Sequence, residues 1–322
     1  AYIEAAQKLN GGISLMSLNG EAEETETSVP VEHIFLISSG EQLNDLAGKI
    51  QRNETYFNGT KSWAEASFEL VGDISLSEYE YNWIGIGTDS NPFKGTFDGN
   101  GYTIADFESN SYSLFNIAEN AAIKNFTIDG YMYIDTSEDY GHAGGIAGKA
   151  TNCIIDNCTL NIGIRNKKED SYTGGAVGYA INTQITNCTS YIDMDMDIYA
   201  YYGYTGGIAG KAEGGKIENC VIENGDINGY DKYVGGIAGY VSDATEIKNC
   251  SFTSNDENSY VWSKSDSDSN HTGEYSYAGG IAGYVENSTI ENCYTKTDIK
   301  AEDEFAGGIA GKITGTSSIN NC

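Results

Sequence analysis

The residues of this 322-residue chain with the means to do chemistry are seven cysteines, three histidines and 47 carboxylates. Six of the cysteines share one setting. Cys158, Cys188, Cys220, Cys250, Cys293 and Cys322 follow Asn157, Asn187, Asn219, Asn249, Asn292 and Asn321, and Ile stands three residues before each thiol, giving the string I-x-N-C. A recurring thiol suits a disulfide set, zinc or core packing. Zinc wants four ligands converging on one point. A disulfide wants Cβ atoms ~3.8 Å apart on crossing vectors. Equivalent residues on stacked strands lie ~4.8 Å apart and point the same way, which suits neither. The column therefore reads as free, buried thiols acting as small hydrophobes. Cys153 is off this phase but shares the parity of Ile155, and reads as buried too.

The carboxylates invite calcium at two places. Asp193, Asp195 and Asp197 alternate along one strand face, and Asp266, Asp268 and Asn270 spell D-x-D-x-N. The second fails the calcium-loop pattern: position six is His271, not Gly, and position twelve is Tyr277, not Glu. Both read as solvated acidic surface, and no metal or cofactor is expected. None of His33, His142 and His271 sits in H-E-x-x-H, and neither G-x-S-x-G nor a P-loop occurs. Asp and Glu outnumber the 18 Lys and Arg so far that the net charge is −29. Such a chain repels phosphate backbones and anionic lipid, so nucleic-acid partners are excluded. No apolar run approaches the ~18 residues a spanning helix needs.

The elements that hold these residues repeat. Gly-Gly pairs begin at 144, 174, 206, 235, 279 and 307, in steps of 30, 32, 29, 44 and 28, each followed 14 or 15 residues later by the Cys. Three short strands and three turns fill about 29 residues. The alternation Ile192, Met194, Met196, Ile198 against the three Asp gives a strand with one buried face. Strands repeated at one period stack as parallel rungs, so the fold class is all-β: a parallel β-helix, a solenoid, right-handed by the crossover rule. Ile and Cys, three apart, both face inward only if the Asn between them is a one-residue corner, and Asn tolerates the left-handed conformation. Stacked corner amides then bond along the axis.

Two outward columns accompany the Gly-Gly pairs. Lys149, Tyr179, Lys211, Tyr240, Tyr284 and Lys312 lie five residues after each start, and His142, Tyr172, Tyr204, Tyr233, Tyr277 and Phe305 two before. The first reads as a solvated ladder with cation–π contacts, and more sharply as a sugar-binding face. The second reads as a stabilising ring stack.

GGIAGYV…IENC resembles the GLUG motif, a glycine-rich repeat of large bacterial surface proteins. The stretch 37–128, with FELVGDISLS, NWIGIG and FKGTFDGNGYTI, looks like the module that often precedes it. The resemblance implies a stalk, an adhesin-like segment or the non-catalytic part of a surface peptidase, at the cell surface or secreted. A Cys after every Asn, and SLFN in place of a GLFG-like string, depart from the usual pattern.

Residues 1–30, small, polar and Glu-rich, read as a flexible leader or linker. Residues 31–94 read as an N-terminal cap with irregular first turns, and 95–322 as the repeats, truncated at the C-terminus. Within the cap, Ser39 and Gln42 form a capping box before Leu43, Leu46, Ala47 and Ile50 at helical spacing, a short helix that caps the solenoid. The ends imply a chain continuous with further repeats or domains. The expected function is a non-catalytic structural and adhesive segment with a glycan or host protein as partner. The alternatives are a β-helix polysaccharide lyase or glycoside hydrolase, or a peptidase stalk. The unit of 44 residues places Tyr260 and Trp262 on an inserted loop, where stiff aromatics would contact a ligand.

Overall fold

A computed structural model describes residues 4–9, 12–16, 33–57, 59–134, 141–192, 197–201, 203–230, 232–254, 259–264, 276–302 and 305–322, the first two stretches as backbone alone. It is a parallel β-solenoid of about 8 turns. One rung shows the plan. The short strand His142–Gly144 meets the Gly-Gly turn, Ala147–Thr151 follows, Asn152 bends the chain into Ile154–Asp156, and Asn157 turns it into Thr159–Asn166. Among the described residues three sheets run along the stack, of six short strands, of seventeen (two of them the N-terminal hairpin) and of twelve.

Register is kept by the inward residues. Phe35, Phe68, Phe97, Ile123, Ile155, Ile185, Ile217, Ile247, Ile290 and Ile319 are successive Cα partners in one parallel column. All but Ile319 are essentially inaccessible. A slip of one residue would send the whole set to solvent, which fixes the pairing wherever one face is buried. Phe fills the early rungs, where Phe35 lies 4.7 Å from Trp63 and Phe93 lies 5.0 Å from Phe115. The repeats carry mostly Ile, Val, Ala and Cys, with Phe252 among them.

The corners are left-handed. Asn157, Asn187, Asn219, Asn249 and Asn292 have φ between 53° and 55°. Their amides form a ladder: Asn292 donates to Asn249, Asn249 to Asn219 and Asn219 to Asn187, each at 3.2 Å. Asn187 turns instead to the Asp156 carboxylate at 2.7 Å, and Asn157 donates to Asn125 at 2.9 Å. A second left-handed column, not expected from the repeat, runs through Asn152, Asn182, Gly214, Asp243, Asn287 and Gly315. These stand eight residues after each Gly-Gly start. Only Asn, Asp and Gly occupy that place, which was the signal in the sequence.

At the N-terminal end, helix α1 spans Gly40–Gln51. The Ser39 hydroxyl accepts the Gln42 N–H at 3.3 Å, and the Gln42 side chain accepts the Ser38 N–H at 2.7 Å, so the box closes one residue earlier than expected. Leu43, Leu46, Ala47 and Ile50 are fully buried. Asn91 donates to the Ile50 carbonyl and Gln51 to the Ile84 carbonyl, tying the helix end to the following turn. Within the stretch read as a leader, the backbone of Glu4–Leu9 and Gly12–Met16 forms an antiparallel hairpin, and its first strand pairs with His33–Ile37.

The corner yields a prediction. Asn219→Ala and Asn219→Gly both lose the ladder bond, but only Ala bears the left-handed penalty. In urea unfolding the Ala variant is expected to lose up to about 1 kcal/mol more than the Gly variant. Equal losses contradict the corner.

Candidate functional site

The Gly-Gly turn is sharp enough to bring the two outward columns side by side. Tyr172 meets Tyr179 edge-on at 5.0 Å, Tyr204 meets Tyr240 at 5.5 Å, and Tyr233 meets Tyr284 at 4.8 Å. The Lys211 ammonium lies 5.3 Å from Tyr172, 5.2 Å from Tyr179 and 5.3 Å from Tyr240. Lys312 sits 4.8 Å from Tyr277 and 5.2 Å from Tyr284. Each such contact contributes about 0.5–1 kcal/mol at an exposed site. The hydroxyls are used as well: Tyr179 donates to Glu213 and Tyr240 to Glu286. Burial, then these bonds, push both phenols far above their ordinary range.

Along the axis the rings stack nearly parallel. His142 to Tyr172 is 4.5 Å at 3°, Tyr172 to Tyr204 is 5.1 Å at 5°, and Tyr204 to Tyr233 is 5.0 Å at 9°. Ring faces inside the stack are therefore spent on one another. The sequence shows each column, but their contact follows only from the turn. The constant seven-residue offset across Gly-Gly was the available signal.

The stack has a head at His142. There a cavity of about 420 Å³ is lined by Asp89, Asn116, Ile117, Gly141, His142, Gly148 and Lys149. The His142 Nδ1 atom is buried without a hydrogen-bond partner. Burial, aided by the charges of Lys149 and Lys211, pulls its pKa down from 6.5 to about 4. The imidazole is thus a neutral ring at physiological pH. A smaller hollow of about 150 Å³ lies along the same seam, between Asp170, Ser171, Tyr172, Gly203, Tyr204 and Lys232.

Tyr260 and Trp262 do not sit on a loop. They belong to the strand Tyr260–Lys264, whose Val261 and Ser263 face inward. Its neighbours hold it in register, Trp262 opposite Asn228 on one side and Lys300 on the other. The alternation V-W-S-K was strand-like in the sequence, but the Ser- and Asp-rich surroundings masked it. The two rings meet edge-on at 5.6 Å, with Lys264 4.3 Å from Trp262 and Lys300 5.0 Å from Tyr260. Burial, then a hydrogen bond to Asp226, raises the Tyr260 phenol to about 12. Tyr199, Tyr201 and Tyr230 extend this outward face across earlier rungs, and Arg165 pairs with Asp197 at 2.8 Å. Asp193, Asp195, Asp266, Asp268, Asn270 and His271 lie outside the described residues.

The thiols line the interior. Cys153, Cys158, Cys188, Cys220, Cys250 and Cys293 are buried and unbridged, while Cys322 is exposed. Cys158, Cys188 and Cys250 each donate to the carbonyl two residues back, at 3.4, 3.3 and 3.2 Å. Burial raises the thiol pKa of Cys153 and Cys158. Among the described residues no group of three or more His, Cys, Asp or Glu is placed to hold a metal ion. No described helix is long and apolar enough to cross a membrane.

Fold and seam define a parallel β-solenoid built from Gly-rich repeats. Three of those repeats match the GLUG motif family, at residues 201–228, 230–256 and 274–299. A protein of Evansella cellulosilytica, provisionally named a Gly-rich membrane protein, is 34% identical over 106 residues. That match takes in 30% of this chain and 12% of the relative's length. A Bacteroides ovatus structure, provisionally named an immunoglobulin A1 protease, shares the fold with a TM-score of 0.61 at 21% identity, over 88% of this chain and 84% of that one. A structure named IgA1 protease gives 0.50 at 15% identity, over 99% of this chain and 26% of that one.

Two outcomes follow. Titration of the native protein with a thiol reagent is expected to modify Cys322 rapidly and the other six only after denaturation, without reductant; rapid reaction of the six contradicts their burial. In an NMR titration His142 is expected to stay neutral until about pH 4. Because the unfolded imidazole protonates near 6.5, its contribution to stability is intact above that pH and is lost as pH falls toward 4. An ordinary midpoint near 6.5 contradicts the burial of the ring.

Proposed function

We propose that the chain is a non-catalytic rod within a large bacterial surface or secreted protein, with a structural and an adhesive role. One observation carries the structural half. The repeated outward side chains bind their equivalents on the next rung, through amide ladders, ring stacks and lysine–tyrosine contacts, so the repeat surface is spent on stiffness. A surface or secreted setting is supported by the GLUG repeats and by the names of the relatives. The adhesive half rests on the outward face around Tyr260 and Trp262, where stiff aromatics and cations stand together on a rigid sheet. Its partner is a glycan or a host protein.

A second reading is that the rod is the non-catalytic stalk of a surface peptidase. Its support is the fold shared with the two structures named as immunoglobulin A1 proteases. A peptidase motif in the same reading frame, outside these 322 residues, favours that reading.

The adhesive half is tested on an array of glycans and host surface proteins, with the wild type beside a Tyr260→Ala, Trp262→Ala double variant. The wild type is expected to bind and the variant to lose at least about tenfold in affinity. Equal binding removes this face as the contact. No binding by the wild type overturns the adhesive role and leaves the rod.

A further inference from the structure

The cavity at His142 differs from everything else on the seam. Inside the stack both faces of each ring are covered by its neighbours. Among the described residues, the ring stacked on His142 is Tyr172, on one face, with Tyr179 edge-on at 5.4 Å. On the preceding rung the strand Phe115–Glu119 pairs with Ala147–Thr151 and brings Asn116 and Ile117 to the cavity. The turn that carries Asp89, and Lys149, complete the lining. The hollow is therefore where the stack would continue if the preceding rung were a regular repeat.

Its chemistry is specific. The imidazole carbons and Ile117 supply its apolar surface. Around them stand one carboxylate, one ammonium and one carboxamide, three groups that exchange hydrogen bonds with hydroxyls. Lys149 and Asp89 cancel in charge, and a chain of net charge −29 repels anions at long range. The volume, about 420 Å³, is that of a small-ligand site.

We infer that this cavity is a binding site for one uncharged pyranose unit of a glycan, packed on His142 and Ile117 and held through its hydroxyls by Asp89, Asn116 and Lys149. The inference deepens the adhesive reading, and it places a second contact on a different sheet from Trp262. It also assigns His142 a role that a ring stack alone does not require, since Tyr fills the same place in four other rungs.

The test uses the whole chain and the methyl glycosides of glucose, galactose, mannose and N-acetylglucosamine, read by the His142 imidazole resonances and by calorimetry. At least one is expected to shift those resonances saturably, with millimolar affinity. Asp89→Asn, on an exposed turn, and Lys149→Tyr, the residue found at that place in three other rungs, keep the fold, and each is expected to weaken binding at least about tenfold. The inference is overturned if no neutral glycoside perturbs His142, if affinity survives both cavity variants, or if methyl glucuronide binds more tightly than the neutral sugars. Array binding that persists in the cavity variants but is lost with Trp262 overturns the cavity alone and leaves the adhesive reading standing.

Discussion

A Cβ atom on Gly175 would stand 2.1 Å from the Gly207 carbonyl oxygen one rung on, and on Gly280 it would stand 2.2 Å from that of Gly308. No real Cβ makes such contacts. The rungs therefore touch backbone to backbone at the Gly-Gly turn, and this close approach is the constraint from which the rest follows. It lets the short strand before the turn fold against the strand after it. The ring column and the lysine–tyrosine column thereby become one seam rather than two ladders. It also forces each rung to copy its neighbour, because a side chain at that corner would push two rungs apart.

Much of this was legible because the repeat speaks six times. The parity of Ile and Cys around a single Asn specifies a corner, and the corner specifies which residues enter the core. The second corner was equally legible, since only Asn, Asp and Gly stand eight residues past each Gly-Gly start, but its meaning depends on where a strand bends and not on a change of parity. Tyr260 and Trp262 were misplaced for a related reason. Polar composition around them resembled a loop, whereas cross-rung pairing with Asn228 and Lys300 made a strand of the five residues. Tertiary pairing here outweighs local composition.

The His142 cavity was not legible, because it belongs to no repeat. Asp89 and Asn116 come from the irregular early turns, and Gly148 and Lys149 from the first regular one. A solenoid is stabilised by nearest-neighbour contacts, so a rung that differs from its successor leaves a gap at the positions that do not match. On the proposed reading, stiffness and binding are divided along the molecule. Where rungs are alike, their outward side chains satisfy each other; where the pattern changes, polar groups remain for something else.

The most direct measurement is the unfolding of Gly175→Ala beside Gly308→Ala in urea. The two glycines hold the same place in their repeats, but in this chain a Cβ on Gly308 meets nothing within 4 Å. Close approach between rungs predicts that Gly175→Ala is severely destabilised, beyond the ordinary few kcal/mol of a core substitution. Gly308→Ala should be neutral or slightly stabilised, as Ala in place of an unconstrained Gly is. Equal effects of the two substitutions would show that the Gly-Gly pair serves only its own turn, and would contradict the account.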